Sequence, residues 1–213
     1  MKMNLPNRLT LIRLIAVPFF MAVMLVPLFT DWSSLADSIL SLIGAAMFIG
    51  AAVTDLLDGR IARKNGLITD FGKFLDPLAD KFMVIGAMLC VLYSNSVAGR
   101  SSLATIYFFA LIIVIFRELA VTSIRLIASS SKGVVIAANL LGKCKTVFQI
   151  IAISAAIIEP VLHKSLGYLV TIPKILVDFP PITVIATVAM IYLTIHSGIA
   201  YIVGAWKYLD HTK

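Results

Sequence analysis

The sequence predicts an all-α integral membrane protein, a bundle of six transmembrane helices that begins with an N-terminal interfacial helix. The chain of 213 residues is 60% hydrophobic and only 14% charged, whereas an ordinary soluble domain carries about a quarter charged residues. Its mean hydropathy is +1.00. Apolar stretches long enough to span a bilayer recur along the chain. No repeat or low-complexity tract interrupts them, so residues 1–213 are expected to form a single domain.

Six apolar segments are expected to cross the membrane. They cover residues 9–29, 35–57, 74–93, 104–127, 146–162 and 182–208, with soft boundaries. Around the start of the first segment, Arg8 and Arg13 alternate with apolar residues, as in an amphipathic helix that lies at the membrane surface and leads into the bilayer. Asn7 and Thr10 are expected to cap the first helix. Between the last two segments, residues 164–181 are expected to include a short surface helix.

The basic residues predict the orientation of the helices. With the N-terminus in the cytoplasm, fifteen of the 18 Lys and Arg residues fall on the cytoplasmic side, and only Arg100, Lys164 and Lys174 fall outside. Cytoplasmic loops are enriched in Lys and Arg, so both termini are expected in the cytoplasm. The net charge of +7 reflects this bias or adds attraction to anionic lipids and phosphate substrates. Without a basic tract outside the loops, nucleic-acid binding is not expected.

Four aspartates lie in a chain that is otherwise suited to lipid: Asp55, Asp58, Asp76 and Asp80. Asp55 and Asp58 are three residues apart, and Asp76 and Asp80 are four residues apart, so each of these two pairs lies on one face of a helix. The second and third segments are expected to pack as antiparallel helices that present these carboxylates to each other. Four like charges would repel unless cations neutralised them, and carboxylate oxygens select Mg²⁺, Mn²⁺ or Ca²⁺. Two such ions can align a phosphoryl displacement.

Between the pairs lie residues suited to a phosphorylated ligand. Gly59 and Ala62 are small and let a ligand approach the helix closely, and Arg63 carries a guanidinium group that fits a diphosphate. In the alternative interpretation, the aspartates are solvated carboxylates paired with neighbouring Lys and Arg residues. This interpretation fits any single aspartate. It fits the four aspartates together poorly, because ionisable residues are rare in membranes.

The stretch fits the pattern D-x2-D-G-x2-A-R-x8-G-x3-D-x3-D without a departure, and it resembles the signature of the CDP-alcohol phosphotransferases. The resemblance implies an enzyme in which an acceptor hydroxyl attacks the β-phosphorus of a CDP-linked lipid and CMP leaves. It implies two Mg²⁺ or Mn²⁺ ions on the four aspartates, with Asp80 also removing the hydroxyl proton. It implies a CDP-lipid site formed by Gly59, Ala62, Arg63, Thr69, Gly72 and Asn7. The family is commonly dimeric, which implies a homodimer.

A second basic group predicts the acceptor. Arg117, Arg125, Lys143 and Lys145 lie near the expected cytoplasmic ends of the fourth and fifth segments, where they could form a cationic pocket for an anionic acceptor. Their surroundings, F-R-E-L-A-V-T-S-I-R and G-K-C-K-T-V-F-Q, are similar to those of the family's phosphatidylglycerophosphate synthases. The resemblance implies transfer from CDP-diacylglycerol to glycerol 3-phosphate in the bacterial cytoplasmic membrane, with the site facing the cytoplasm. The alternative is positive-inside charge plus a structural pair of Arg117 with Glu118.

Three other functions stay open at this point. Within the same family, the acceptor could be serine, inositol phosphate or phosphatidylglycerol. Membrane prenyltransferases also use aspartates, Mg²⁺ and diphosphates, but their two Asp-rich motifs lie far apart in sequence. A divalent-cation transporter is compatible with six helices and buried acids, but here the acids cluster near one end, with Arg63 among them, rather than along a path across the bilayer.

Overall fold

The computed structural model describes residues 4–30, 33–64, 70–132 and 140–206; within these ranges the side chains at 5, 6, 56–64, 70, 73 and 128–132 are not part of the description. The described residues are helical and contain no strand. The helices are α1 (Leu5–Leu25), α2 (Ser34–Lys64), α3 (Asp70–Val97), α4 (Ser101–Lys132), α5 (Leu140–Leu166), α6 (Lys174–Asp178) and α7 (Pro181–Ala205), with a 3-10 helix at Val26–Phe29.

The predicted apolar segments correspond to α1, α2, α3, α4, α5 and α7, and the predicted surface helix is α6. Within the described ranges, five helical stretches are long and apolar enough to cross a membrane. They are Asn7–Phe29, Ser34–Asp55, Ser101–Ile127, Leu140–Leu166 and Lys174–Ala205. Helix α3 is not among them, because its first turns carry a series of charged residues that lowers its hydropathy.

The N-terminus differs from its prediction in two ways. Residues 5–25 form one continuous helix, so the expected interfacial helix is not separate from the first spanning helix. Pro6 lies in the first turn, where proline is tolerated, so it does not interrupt the helix. The expected caps are also wrong: Asn7 and Thr10 lie inside α1, and the side chain of Asn4 accepts a hydrogen bond from the Asn7 N–H at 3.2 Å.

The long helices of the described part form a closed ring in the order α1, α2, α5, α7, α4, α3. Helix α1 therefore lies between α2 and α3, which touch each other only briefly, and α7 lies between α4 and α5. Helices α3 and α5 also meet across the ring. The predicted hairpin of α2 and α3 is described only in part, because the side chains at 56–64 and residues 65–69 lie outside the described residues. Asp55 and Asp76 are both held by α1.

Large buried side chains fill the middle of the ring, among them Phe48, Met88, Tyr107 and Ile153, each less than 2% exposed. The Tyr107 hydroxyl donates to the carbonyl of Ala152 at 3.3 Å and accepts a hydrogen bond from Thr187 Oγ1 at 3.0 Å. One phenol thus connects α4, α5 and α7. The outer surface is rich in exposed Phe, Leu, Ile and Val, as expected for a bundle that is surrounded by lipid.

A carboxylate from α5 caps the N-terminus of α7. The Glu159 side chain accepts hydrogen bonds from the backbone N–H groups of Ile182 at 3.0 Å and Thr183 at 2.6 Å, and Glu159 is only 3% exposed. Helix α7 starts after Pro180 and has no side-chain cap of its own. The first N–H groups of a helix have no partner within it, and Glu159 satisfies two of them, including that of the buried Thr183.

We expect Glu159→Ala to lower the free energy of unfolding by about 1–3 kcal/mol, because it leaves the buried N–H group of Thr183 and the N–H group of Ile182 without this acceptor. Glu159→Gln keeps one acceptor oxygen and should lose less. Denaturant unfolding in detergent micelles, followed by far-UV circular dichroism, measures both. Equal stability of Glu159→Ala and the wild type would contradict this assignment.

Candidate functional site

One face of α1 is polar at the end of the bundle where the aspartates lie. Asn7, Thr10 and Arg13 follow one another at intervals of three residues, so they share a face of the helix, and all three are buried. Farther along the helix, the same face continues with the buried apolar residues Val17, Phe20 and Met24. The side of α1 that packs into the bundle thus changes from polar to apolar.

This polar face binds one carboxylate from each neighbouring helix. The Thr10 hydroxyl donates to Asp76 Oδ1 on α3 at 2.6 Å. Arg13 Nη1 donates to Asp55 Oδ1 on α2 at 2.5 Å. The Arg13 side chain is 3% exposed, whereas that of Asp55 is 39% exposed, so a buried cation holds a carboxylate that still reaches the surface. Helix α1 therefore fixes the positions of Asp55 and Asp76 relative to each other.

Asp80 connects the aspartates to the predicted acceptor residues. Together with Lys81, Glu118, Lys145 and Gln149, it lines a small cavity between α3, α4 and α5. The charges of Asp55, Arg13, Glu118 and Lys145 all act on its carboxylate. The sequence predicted two groups, the aspartates and the basic residues, and the structure joins them into one site.

Glu118 lies at the centre of the basic part of this site. Its Oε1 accepts a hydrogen bond from Lys145 Nζ and another from Arg117 Nη1, the latter at 3.0 Å. Lys145 is buried, and Arg117 also lies 3.5 Å from the hydroxyl of Ser197 on α7. The Arg117–Glu118 pair that the sequence left open as an alternative is present. Lys145 joins it, so two predicted acceptor residues share one half-buried carboxylate.

The other two predicted acceptor residues lie farther from Asp80. Arg125 donates from Nε to the Tyr201 hydroxyl at 3.0 Å, and its guanidinium carbon lies 5.1 Å from the centre of that ring. Lys143 is exposed near the start of α5. Arg117 and Lys145 both contact Glu118, whereas Arg125 contacts Tyr201, so the structure separates the four basic residues into an inner and an outer pair.

Several predicted CDP-lipid residues lie where the structure describes only the backbone. Positions 58, 59, 62 and 63, which include Asp58 and Arg63, belong to the last turns of α2, beyond Asp55, and their side chains lie outside the described residues. Thr69 lies outside the described ranges altogether. Gly72 is buried near the start of α3, and Asn7 is buried on the polar face of α1.

The donor atoms of the described aspartates suit a hard divalent cation. Asp55, Asp76 and Asp80 offer only carboxylate oxygens, the ligands that Mg²⁺ and Mn²⁺ prefer. Among the described side chains, no three His, Cys, Asp or Glu residues are grouped closely enough to hold a metal ion. The Asp58 side chain does not belong to that set, so the group that the sequence predicts is only partly described.

Sequence reasoning missed Arg13 and Gln149 as residues of this site, and for Thr10 it preferred a capping role to a contact with the ligand. Gln149 is 1% exposed and lines the cavity of Asp80, and its Nε2 has no hydrogen-bond partner among the described residues. The signal was available in the spacing. Asn7, Thr10 and Arg13 repeat at the helical period in an apolar segment, as do Lys145 and Gln149, and polar residues on one face of a membrane helix point to its interior.

The sequence matches that of a known protein family. A sequence model of the CDP-alcohol phosphatidyltransferase family matches residues 3–209. The chain belongs to the CDP-alcohol phosphatidyltransferase family. This confirms the resemblance that the aspartate pattern carried. The match extends over nearly the whole bundle, including the helices that supply Glu118 and Lys145.

Relatives in this family are similar along almost their full length. A CDP-diacylglycerol–glycerol-3-phosphate 3-phosphatidyltransferase of Bacillus subtilis is 40% identical over 211 residues, which cover 97% of each chain. The Escherichia coli K12 protein of the same name is 33% identical over 207 residues, or 96% of each chain. A probable phosphatidylglycerophosphate synthase of Mycobacterium tuberculosis H37Rv is 33% identical over 206 residues, covering 96% of this chain and 82% of that protein.

A double-mutant cycle tests the buried pair of Glu118 and Lys145. Lys145→Met leaves the carboxylate with one cation fewer, and we expect it to lower the free energy of unfolding by about 3 kcal/mol. The double variant Lys145→Met/Glu118→Leu should lose less than the sum of the single losses, with a coupling energy of about 1–3 kcal/mol. Denaturant unfolding in micelles measures each corner of the cycle.

The matched control is a second cycle in which the exposed Lys143 is changed in place of Lys145. The cycle of Lys143→Met with Glu118→Leu should give a coupling energy near zero. The contribution of Arg117 cancels in both cycles, because this residue loses its partner in every Glu118 variant. Equal coupling in the two cycles would show that the Lys145–Glu118 contact does not stabilise the bundle.

Proposed function

We propose that the chain transfers the phosphatidyl group from CDP-diacylglycerol to sn-glycerol 3-phosphate, giving phosphatidylglycerophosphate and CMP. The observation that carries this proposal is the near-full-length similarity to relatives named for that reaction. In the structure, it is supported by the cavity in which Asp80 lies beside Lys145 and Glu118. An acceptor that carries its own phosphate requires cations near the reacting hydroxyl, and Lys81 and Lys145 line this cavity.

In the reaction, the acceptor hydroxyl oxygen forms a bond to the β-phosphorus of the CDP-lipid. The bond from that phosphorus to the oxygen it shares with the α-phosphorus breaks, and CMP leaves with that oxygen. We assign Asp80 as the base that takes the hydroxyl proton. Phosphoryl transfer depends on the positions of the reacting groups and on neutralisation of their charge more than on covalent help from the protein. Fixed carboxylates and cations are therefore the features that such an active site needs.

We assign Asp55, Asp58, Asp76 and Asp80 as the ligands of two Mg²⁺ or Mn²⁺ ions. Thr10 and Arg13 support the assignment, because metal-binding carboxylates are commonly held by hydrogen bonds from a second layer of residues. When bound, the ions neutralise the charge that develops on the phosphoryl oxygens. Arg13 and Lys145 oppose the repulsion that Asp55 and Glu118 exert on Asp80, so the protein itself contributes part of this neutralisation.

For the CDP moiety we propose Gly59, Ala62, Arg63, Thr69, Gly72 and Asn7, as the family pattern implies. For the phosphate of glycerol 3-phosphate we propose Arg117 and Lys145 as the inner contacts. Arg125 and Lys143 would attract the dianion from the surface. Glu118 holds the inner cations in place before the acceptor arrives, and their remaining N–H groups can then turn to a phosphate.

We further propose that α3 is the sixth crossing, with both termini and the site on the cytoplasmic side of a bacterial membrane. Its 28 residues extend over about 42 Å, more than the roughly 30 Å of the hydrocarbon core. It lies in the ring between α1 and α4, so it would cross along with its neighbours. A second copy of the chain would pair through the apolar outer surface to give a homodimer.

The acceptor assay tests the reaction. Purified protein with Mg²⁺ and CDP-diacylglycerol should release CMP when glycerol 3-phosphate is added, and not with serine, inositol phosphate or phosphatidylglycerol. Asp80→Asn provides the background and should lose about 10²–10⁴-fold in kcat, the usual contribution of a general base. Turnover with serine alone would reject the proposed acceptor, and full activity of Asp80→Asn would reject the base.

The same preparation separates the other classes of function. Release of pyrophosphate instead of CMP would indicate prenyl transfer. Flux of Mn²⁺ into liposomes without any lipid product would indicate a transporter.

A second test concerns the contact of Thr10 with Asp76. Thr10→Val keeps the shape but removes the hydroxyl, and we expect a loss of about 10–100-fold in activity together with a higher Mn²⁺ requirement. Thr10→Ser should restore most of both. Thr105→Val is the matched control, because the Thr105 hydroxyl donates only to a carbonyl in its own helix. An unchanged Mn²⁺ requirement in Thr10→Val would show that this hydroxyl does not position a metal ligand.

A further inference from the structure

A second polar cavity lies at the end of the bundle opposite to the aspartates. Its volume is about 350 Å³, and its walls come from the 3-10 helix after α1, the start of α2 and the ends of α3 and α5. Asp80 and Asn95 lie near opposite ends of α3, as do Lys145 and Lys164 on α5. The helical rise separates each pair by roughly 20–30 Å, close to the thickness of the hydrocarbon core. The cavity is therefore distinct from the proposed active site.

Aromatic residues place this end of the bundle at the level of lipid headgroups. The rings of Phe29 and Tyr93 stack with their centres 5.8 Å apart. The Tyr168 hydroxyl lies 3.3 Å from Ser34 Oγ, at the start of α2. Tyrosines with an apolar ring and a polar tip are typical of the membrane–water interface. A cavity at this depth can be reached by the headgroups of one leaflet.

Three polar atoms at this cavity are buried without a hydrogen-bond partner among the described residues: Asn95 Oδ1, Asp37 Oδ1 and Arg100 Nε. Asn95 is 2% exposed, and its Nδ2 donates to the carbonyl of Val91 at 2.8 Å, so only its carbonyl oxygen is unsatisfied. Unpaired buried polar atoms are costly. A ligand that complements these atoms donates hydrogen bonds to Asn95 and Asp37 and accepts one from Arg100.

The positive charge of the cavity comes from Arg100 and Lys164. Gly99, with φ of 72°, ends α3, and the N–H of Arg100 then donates to the carbonyl of Asn95 at 3.0 Å. Burial lowers the pKa of the Arg100 guanidinium, while Asp178 raises it, so this cation gains from an anionic neighbour. Lys164 Nζ lies 3.7 Å from Asp37 Oδ2. Of the basic residues predicted at this end, only Lys174 does not line the cavity.

We propose that this cavity binds the headgroup of a membrane phospholipid. The phosphodiester lies against Arg100 and Lys164, and the O–H or N–H groups of the headgroup alcohol donate to Asn95 and Asp37. The apolar part of the lining, which includes Met24, Leu28 and Val161, fits the glycerol and first acyl carbons. A free phosphate ion supplies the anion, but it has no carbon atoms that could contact the apolar part of the lining. Glycerol and ethanolamine headgroups share the required chemistry.

Binding of short-chain lipids to the full-length protein tests the proposal, with native mass spectrometry as the readout. The probes are dihexanoyl phosphatidylglycerol, dihexanoyl phosphatidylethanolamine, dihexanoylglycerol and inorganic phosphate. We expect a phospholipid to bind, and Arg100→Gln to weaken its binding by roughly tenfold or more, as for loss of a charge-assisted hydrogen bond. Lys174→Gln removes the same charge at the same end, outside the cavity, and should bind like the wild type.

Asn95→Leu separates lipid binding from a structural role of the cavity. If the cavity holds only water, this change removes an unpaired oxygen, and added phospholipid should raise the melting temperature of the variant as much as that of the wild type. The proposal expects that lipid-dependent rise to disappear in Asn95→Leu, with an unchanged far-UV circular dichroism spectrum before lipid is added. Lipid binding at the aspartate end is common to all variants and cancels in the comparison.

Three outcomes of these binding experiments decide the proposal. A preference for either phospholipid over both dihexanoylglycerol and phosphate, lost in Arg100→Gln and Asn95→Leu, supports the proposal and identifies the headgroup. Equal binding of inorganic phosphate and phospholipid overturns the lipid assignment. Lipid affinity that is the same in Arg100→Gln, Asn95→Leu and Lys174→Gln overturns the site. Should Arg100→Gln fail to fold, Asn95→Leu carries the test alone.

Discussion

Two side chains of the first helix hold together carboxylates from helices that hardly touch. Asp55 belongs to α2 and Asp76 to α3, and α1 lies between them. Thr10 and Arg13 reach one carboxylate each. By holding Asp55 and Asp76, α1 opposes the mutual repulsion of these two carboxylates. The geometry of the proposed metal site is therefore set by residues outside the pattern.

The rest of the site follows the same physical constraint. Charges in a bundle surrounded by lipid are costly unless they are paired. Arg13 is paired with Asp55, and Lys145 and Arg117 with Glu118. All these pairs lie at one end of the bundle, where helices α3, α4 and α5 meet around Asp80. Fixed pairs of this kind need little rearrangement when charge develops during a reaction, which is the advantage of a preorganised site.

Much of this architecture could be predicted from the sequence, and the errors have physical reasons. Apolar runs identified every long helix, because their length is dictated by the bilayer, and the spacing of four aspartates identified the family. The order of helices around the ring could not be predicted, since the sequence of an apolar segment does not specify which helices pack beside it. Thr10 and Arg13 were therefore read as a cap and as part of an interfacial helix. Likewise, Glu118 was recognised as a partner of Arg117, but its contact with Lys145 depends on how α4 and α5 pack.

The position of α7 has a consequence for how the protein is made. It follows the other described helices in the chain, yet its place in the ring is between α4 and α5. Its buried face carries Thr183, Thr187, Thr194 and Ser197, and its first N–H groups require Glu159 of α5. Because helices are synthesised in chain order, α4 and α5 complete their packing in this ring only when α7 inserts its hydroxyl-lined face between them. A chain that stalls before this step would present Tyr107 and Glu159 to the bilayer, a state that membrane quality control could recognise as unfinished.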